Sequence, residues 1–185
     1  MFKPLAYDLS EAVKLFRQKR ILQLRGLSNR LIKEASIEDN FAKAELGVIT
    51  YALHKIESKE HFVNNPKWIK IKNVIATDLE SVIVAAENND LKKVIFKLKK
   101  VIVDINKIDL SIGHFVQGIF EKAKVKQASL AYSYGLSISQ SAELTGADKK
   151  ELQSYIGFTK MSDEEEESKS LLTRVSELKE LINNG

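Results

Sequence analysis

The chain has 185 residues, a length that suits one domain with an appendage or two small domains. Apolar residues make up 44% and charged residues 29%, so the chain can bury a core. The absence of cysteine excludes disulfide scaffolds and cysteine-based zinc sites, and three histidines argue against a His-rich metal centre. No apolar run approaches the roughly 20 residues of a membrane span, and no signal peptide is evident. These features predict a cytoplasmic protein without a membrane partner.

The net charge of +4 is unevenly distributed along the chain. Residues 162–185 carry seven acids and three bases, whereas residues 1–161 carry 26 bases and 18 acids. A basic body with an acidic tail is compatible with a nucleic-acid partner. It is equally compatible with a surface that only keeps the protein in solution.

Residues 1–110 show the apolar periodicity of four amphipathic helices joined by short links. We expect the first helix to run to about residue 35, and the others to follow with turns at residues 64–66 and 87–90. The residues expected to cap or begin these helices are Asp8 or Ser10, Ser36, Pro66 and Asp90. This pattern predicts an all-α protein with an N-terminal antiparallel helical bundle. The bundle would serve dimerisation or binding of a protein partner.

Residues 111–161 predict a three-helix unit that begins with a helix from about residue 114. Gly135 is placed to stop this helix, because glycine adopts the left-handed conformation at low cost. Ser137 and Gln140 then form a capping box for a short helix over residues 138–145. Gly146 ends that helix.

Two short helices joined by a tight turn around a glycine form a helix-turn-helix. The helices cross closely, which requires a small residue, and Ala142 stands at that position. Gly146 provides the left-handed turn residue. Asp148 caps the second short helix, which packs back through Leu152 and is expected to end at Gly157.

Residues 139–148 read Ser-Gln-Ser-Ala-Glu-Leu-Thr-Gly-Ala-Asp and resemble the helix-turn-helix of repressor-type regulators and small prokaryotic antitoxins. In those antitoxins the motif likewise follows a helix that ends in Gly-x-Ser, here residues 135–137. The resemblance covers residues 122–160, and no family is recognised for residues 1–110. The sequence departs from the pattern at Ser141 and Thr145, where such motifs usually have apolar residues.

The resemblance implies that the second short helix is a recognition helix that enters the major groove of duplex DNA. The residues expected to face the bases are Lys149, Lys150, Gln153 and Ser154. Lysine can reach guanine acceptors, and glutamine can form a bidentate pair with adenine. The residues expected to contact phosphates from the preceding helix are Lys122, Lys124 and Lys126.

We therefore expect a DNA-binding protein, either a transcriptional regulator or an antitoxin-like repressor, that binds duplex DNA as a homodimer and without a cofactor. Two alternatives remain open. One is a non-enzymatic helical adaptor that binds protein partners; the other is an RNA- or ribosome-associated protein that uses its lysine-rich helix faces. The adaptor alternative predicts that neighbouring acids neutralise Lys149 and Lys150, whereas DNA binding predicts an open positive face there.

The sequence offers no catalytic constellation and no metal-binding motif. It has no phosphate-binding glycine-rich loop and no His-Glu-x-x-His zinc motif. Ribonucleases of the HEPN class use an arginine that is followed four to six residues later by a histidine. In this sequence no arginine precedes His54, His61 or His114 at that spacing. We therefore predict that the protein is not an enzyme.

Residues 162–185 predict an acidic C-terminal helix. Ser162 and Asp163 can cap it, and the four glutamates that follow suit the positive end of the helix dipole. Apolar residues then recur at spacings of four, three and four, at positions 171, 175, 178 and 182. This seam is too short for an isolated coiled coil, so we expect it to dock on the body or on a second copy.

Overall fold

The computed structural model describes the backbone of residues 3–112 and 115–159 and the side chains of residues 4–103 and 118–159. These residues form nine helices and no strand, which confirms the all-α class. The helices are α1 (Lys3–Arg17), α2 (Ile21–Glu38), α3 (Phe41–Glu57), α4 (Glu60–Val63), α5 (Trp68–Glu87), α6 (Leu91–Ile112), α7 (Phe115–Ser133), α8 (Ile138–Thr145) and α9 (149–159). None of the helices in the described ranges is long and apolar enough to cross a membrane.

Helix α3 lies at the centre of the fold. Fourteen of its seventeen residues are buried, and it packs against α1, α2, α4, α6, α7 and α8. Its apolar residues Leu46, Ile49 and Leu53 are fully enclosed. A helix that is buried on every side has to be surrounded by other elements, so α3 determines where its neighbours can pack.

Helix α2 packs tightly against α3 at Gly47. A Cβ atom at this position would lie 3.0 Å from Ile32 Cδ1 and 3.4 Å from Leu31 Cβ. The hydroxyl of Ser28, which is fully buried, donates a hydrogen bond of 2.7 Å to the Gly47 carbonyl. The absence of a side chain at Gly47 therefore allows the two backbones to pack closely.

Buried charges join α3 to α5. The Glu57 side chain is 1% exposed, and its Oε1 lies 2.9 Å from Lys72 Nζ. The same oxygen accepts a hydrogen bond of 3.2 Å from Trp68 Nε1. A buried carboxylate is tolerated when it is paired in this way, so the cluster fixes the position of α5 against α3.

Arg30 on α2 joins a second set of charges. Its guanidinium donates to Asp8 at 2.9 Å and Glu11 at 2.8 Å, both on α1. It also donates to Glu34 at 3.2 Å, and Glu34 accepts from Lys43 of α3 at 2.9 Å. The network connects the first three helices and occupies Arg30 with intramolecular contacts.

The prediction of one helix from residue 8 to about residue 35 was wrong. The chain forms two helices there, separated at residues 18–20, where Lys19 adopts a left-handed φ of +54°. Asp8 and Ser10 do not cap a helix, because α1 begins by Lys3. Asp8 is instead a buried partner of Arg30, and the Ser10 hydroxyl donates to the Ala6 carbonyl.

Two further expected helix starts were also wrong. Ser36 lies inside α2, where its hydroxyl donates to Ile32 O, and Asn40 is the residue that caps α3 by accepting from Lys43 N. Pro66 precedes α5, which begins two residues later, and the short α4 was not foreseen. The Asp90 cap is confirmed, since its Oδ1 accepts from Lys93 N at 3.0 Å.

The end of the last described helix was also predicted wrongly, because α9 continues through Gly157 to residue 159. Gly157 does not have a positive φ, so it does not adopt the left-handed conformation with which a glycine ends a helix. The expected acidic C-terminal helix falls on residues 162–185, which lie outside the described residues.

A leucine at position 47 tests the close contact between α2 and α3. We expect Gly47→Leu to lower the free energy of unfolding by about 1–3 kcal/mol, because the added side chain overpacks against Ile32. Gly26→Leu is the matched control, since Gly26 lies on the exposed side of α2 with nothing within 4 Å of an added Cβ. Urea unfolding followed by circular dichroism measures both variants, and equal stability of the two would contradict the account.

Candidate nucleic-acid interface

The local structure of α8 follows from its two ends. The Ser137 hydroxyl accepts from Gln140 N at 3.2 Å, and Gln140 Oε1 accepts from Ser137 N at 3.0 Å, which completes the predicted capping box. Gly146 ends the helix with a left-handed φ of +70°. Both ends of the first short helix are therefore set by local hydrogen bonds and backbone conformation.

Helices α7, α8 and α9 share a small apolar core. Ala142 of α8 packs there with Leu152 and Ile156 of α9, against Val125 and Ala128 of α7. Leu152 is fully buried, and Ala142 is 6% exposed. A small residue therefore stands where α8 and α9 meet, as the sequence pattern predicted for Ala142.

Ser141 and Thr145 occupy interior positions although they are polar. The Thr145 hydroxyl donates to Ser141 O at 2.9 Å within the helix, which satisfies it locally. Ser141 Oγ has no hydrogen-bond partner among the described residues. The two positions are therefore buried like their apolar counterparts in the motif, with a small hydroxyl side chain at each.

The three-helix unit is attached to the preceding helices by a second apolar cluster. Ala131 of α7 and Leu144 of α8 pack against Ile32 and Ala35 of α2 and Ala44 of α3. Further along α7, Ile119, Phe120 and Ala123 join the main core. The unit thus rests on α2 and α3 and leaves the outer side of α9 uncovered by the described residues.

The four predicted recognition residues Lys149, Lys150, Gln153 and Ser154 are all exposed on α9. Asp148 caps the helix as expected, because its Oδ1 accepts from Lys150 N and Glu151 N, each at 2.9 Å. No ion pair joins Lys149 or Lys150 to an acid among residues 4–103 and 118–159, whose side chains the structure describes. The first turns of α9 therefore present cationic and amide groups to the outside.

The structure separates the three lysines that were predicted to act together on α7. Lys122 and Lys126 lie one helical turn apart on the side that faces α9. Lys126 Nζ donates to the Tyr155 hydroxyl at 3.0 Å and lies 5.5 Å from the centre of that ring. Lys124 instead pairs with Glu121 at 2.8 Å and lines a different cleft, together with Glu45 of α3.

Glu45 in that second cleft is partly withdrawn from solvent. Burial raises the pKa of its carboxyl, while the positive charges of Lys99 and Lys124 act in the opposite direction. Lys124 thus has carboxylates on both sides, in Glu45 and Glu121. It is the least suited of the three α7 lysines to contact a phosphate.

A groove of about 1200 Å³ runs between α7, α9 and the ends of α2 and α3 that lie beside them. We call it the basic groove, because five cations and two acids line it among the described residues. The cations are Arg25, Lys55, Lys122, Lys126 and Lys150, and the acids are Glu121 and Glu151. Tyr51, Tyr155 and the 80% exposed Phe158 contribute aromatic surface.

Sequence reasoning did not connect Arg25 and Lys55 with this surface. They lie about a hundred residues before α9 in the chain, on helices whose periodicity indicates only which side is apolar. The packing of α7 against α2 and α3 brings them beside the helix-turn-helix. No signal in the sequence could have identified them without that packing.

The chain matches no family model, no curated protein and no solved structure. Within the described parts of the chain, no three His, Asp or Glu side chains converge in a way that could hold a metal ion.

Substitution of Gly146 tests the turn between α8 and α9. We expect Gly146→Val to lower the stability of residues 115–159 by about 1–2 kcal/mol, because a residue with a Cβ is strained in the left-handed conformation. No atom lies within 4 Å of an added Cβ, so the cost comes from the backbone. Gly146→Asn is the matched control, since asparagine tolerates this conformation, and it should lose less.

Amide hydrogen exchange measures where the Gly146 variants lose protection. Faster exchange in α8 and α9 of the valine variant, with α1–α5 unchanged, is the expected result. Protection equal to that of the parent chain in both variants would show that Gly146 is not the residue on which the turn depends.

Proposed function

We propose that the protein binds duplex DNA through α9, as a transcriptional regulator or an antitoxin-like repressor. The observation that carries the proposal is the exposure of Lys149, Lys150 and Gln153 at the start of a helix held in a helix-turn-helix by α7 and α8. A helix presented in this way can enter the major groove with its N-terminal residues against base edges.

The charges around α9 favour DNA over a protein partner. The adaptor alternative requires neighbouring acids to neutralise Lys149 and Lys150, and within the described ranges neither lysine has such a partner. Asp148 and Glu151 flank the two lysines in sequence: Asp148 is engaged as the cap of α9, and Glu151 makes no ion pair with either lysine among the described side chains. The basic groove adds Lys122 and Arg25 beside the helix, at a place where a DNA backbone would pass.

A dimer forms part of the proposal. One short recognition helix reads few base pairs, and a two-fold arrangement of two copies doubles the contacts to a palindromic site. We assign dimerisation or partner binding to the helices that precede α7. Sedimentation of the protein with and without its DNA site tests this part independently of the residues on α9.

Removal of two lysines tests the binding surface. We expect Lys149→Ala with Lys150→Ala to weaken duplex binding. The slope of log affinity against log salt should fall by up to about two, that is, by about one for each of the two lysines that contacts a phosphate as well as a base. The matched control is Lys92→Ala with Lys93→Ala, which removes two charges from the first turn of α6, two and three residues after the Asp90 cap. Titrations of a duplex at two salt concentrations compare the pairs, and an equal effect of both pairs would contradict the proposal.

Substitution of Gln153 tests base recognition rather than general affinity. We expect Gln153→Ala to flatten the preference at a single base pair, with a loss of about 1–3 kcal/mol on the preferred sequence only. Selection from random duplexes, followed by titration of the selected and scrambled sequences, measures this effect. A parent protein that selects no sequence would exclude recognition through Gln153.

A further inference from the structure

The basic groove has more positive charge than the described residues neutralise. Of its two acids, Glu121 pairs with Lys124, which lies outside the groove. Glu151 is the remaining acid, against the five cations that line the groove. Like charges gathered on one concave surface repel one another, so an anionic occupant would be favoured there.

An anionic segment of this chain begins beside the groove. Thr159, the last described residue, lines the groove itself. Five consecutive acids occupy positions 163–167, the densest run of negative charge in the sequence. Four residues of extended chain reach at most about 14 Å and eight reach about 29 Å, which is the distance that these acids can span from Thr159 at the edge of the groove.

The tether also favours occupation of the groove by this segment. A short linker holds two groups at an effective concentration in the millimolar range, so even weak attraction keeps them together. An unconnected anion would have to reach a comparable concentration to compete. The groove volume of about 1200 Å³ is large enough for several side chains.

We infer that residues 163–167 occupy the basic groove of the same chain, where their carboxylates pair with Lys122, Lys126 and Lys150. The docking itself does not depend on DNA binding. One consequence does rest on the proposed function. Lys150 lines the groove and is also on the exposed side of α9. The acidic segment would therefore compete with the DNA backbone for the positive charge of Lys150.

Carbodiimide cross-linking of the full chain tests the docking. The reagent joins a carboxylate to a lysine amine that contacts it, with loss of water to the reagent. Trypsin releases residues 161–169 as one peptide, in which the five acids at 163–167 are the only acidic side chains. A mixture of ¹⁵N-labelled and unlabelled protein distinguishes cross-links within a chain from those between chains.

The expected result is cross-linking of peptide 161–169, within one chain, to Lys122, Lys126 or Lys150. Lys70 and Lys92 are exposed lysines outside the groove and serve as internal controls. The cross-links should disappear in about 1 M salt, where the screening length falls to about 3 Å. Cross-links that favour the control lysines, that form only between chains, or that do not form at all would overturn the docking.

A tail of equal length in which the five consecutive acids are neutralised tests the consequence for DNA. In this variant residue 163 is changed by Asp163→Asn and the next four residues by Glu→Gln. Duplex affinity at low salt should rise by a factor equal to the reciprocal of the fraction of chains whose groove was free. The two proposals fail separately. Cross-links in a chain that binds no duplex would support the docking and contradict the proposed function. Duplex binding through Lys149 and Lys150 without cross-links would support the proposed function and contradict the docking.

Discussion

The enclosure of α3 is the constraint on which the rest of the fold depends. Because this helix is buried on nearly every side, its polar residues need partners inside the protein. Lys43 pairs with Glu34 and Glu38 of α2, and Glu57 pairs with Lys72 of α5. These contacts, with the close approach at Gly47, select one arrangement of the surrounding helices rather than a loosely packed bundle.

The same constraint positions the candidate DNA-binding unit. Helices α7 and α8 pack directly on α2 and α3, and they share apolar clusters with the helices before them. The inner side of α9 is occupied by Leu152 and Ile156, and its outer side presents Lys149, Lys150 and Gln153. A change in the packing around α3 would therefore reach the exposed side of α9 through α7 and α8. In the proposed function, this is a physical route by which a partner of the preceding helices could alter DNA binding.

Short-range features with a clear sequence signal were predicted around α8, whereas short-range features without such a signal and the charges brought together by packing were not. The capping box at Ser137 and the left-handed Gly146 depend only on residues within one or two turns, so the bounds of α8 were predicted correctly. Lys19 ends α1 in a left-handed conformation without glycine or proline as a signal, and the first helix was therefore predicted too long. Arg25 and Lys55 reach the basic groove only through tertiary packing, which no periodicity indicates.

The most direct test of the account is a map of backbone amides that change when duplex DNA is added to the full chain. The duplex should be one selected by the protein, with a scrambled sequence as the reference. Amide hydrogen exchange or NMR chemical shifts should change at residues 148–154 and along the side of α7 that carries Lys122, with α6 unaffected. Changes confined to the lysine-bearing side of α6, or no change with any duplex, would contradict DNA binding through α9.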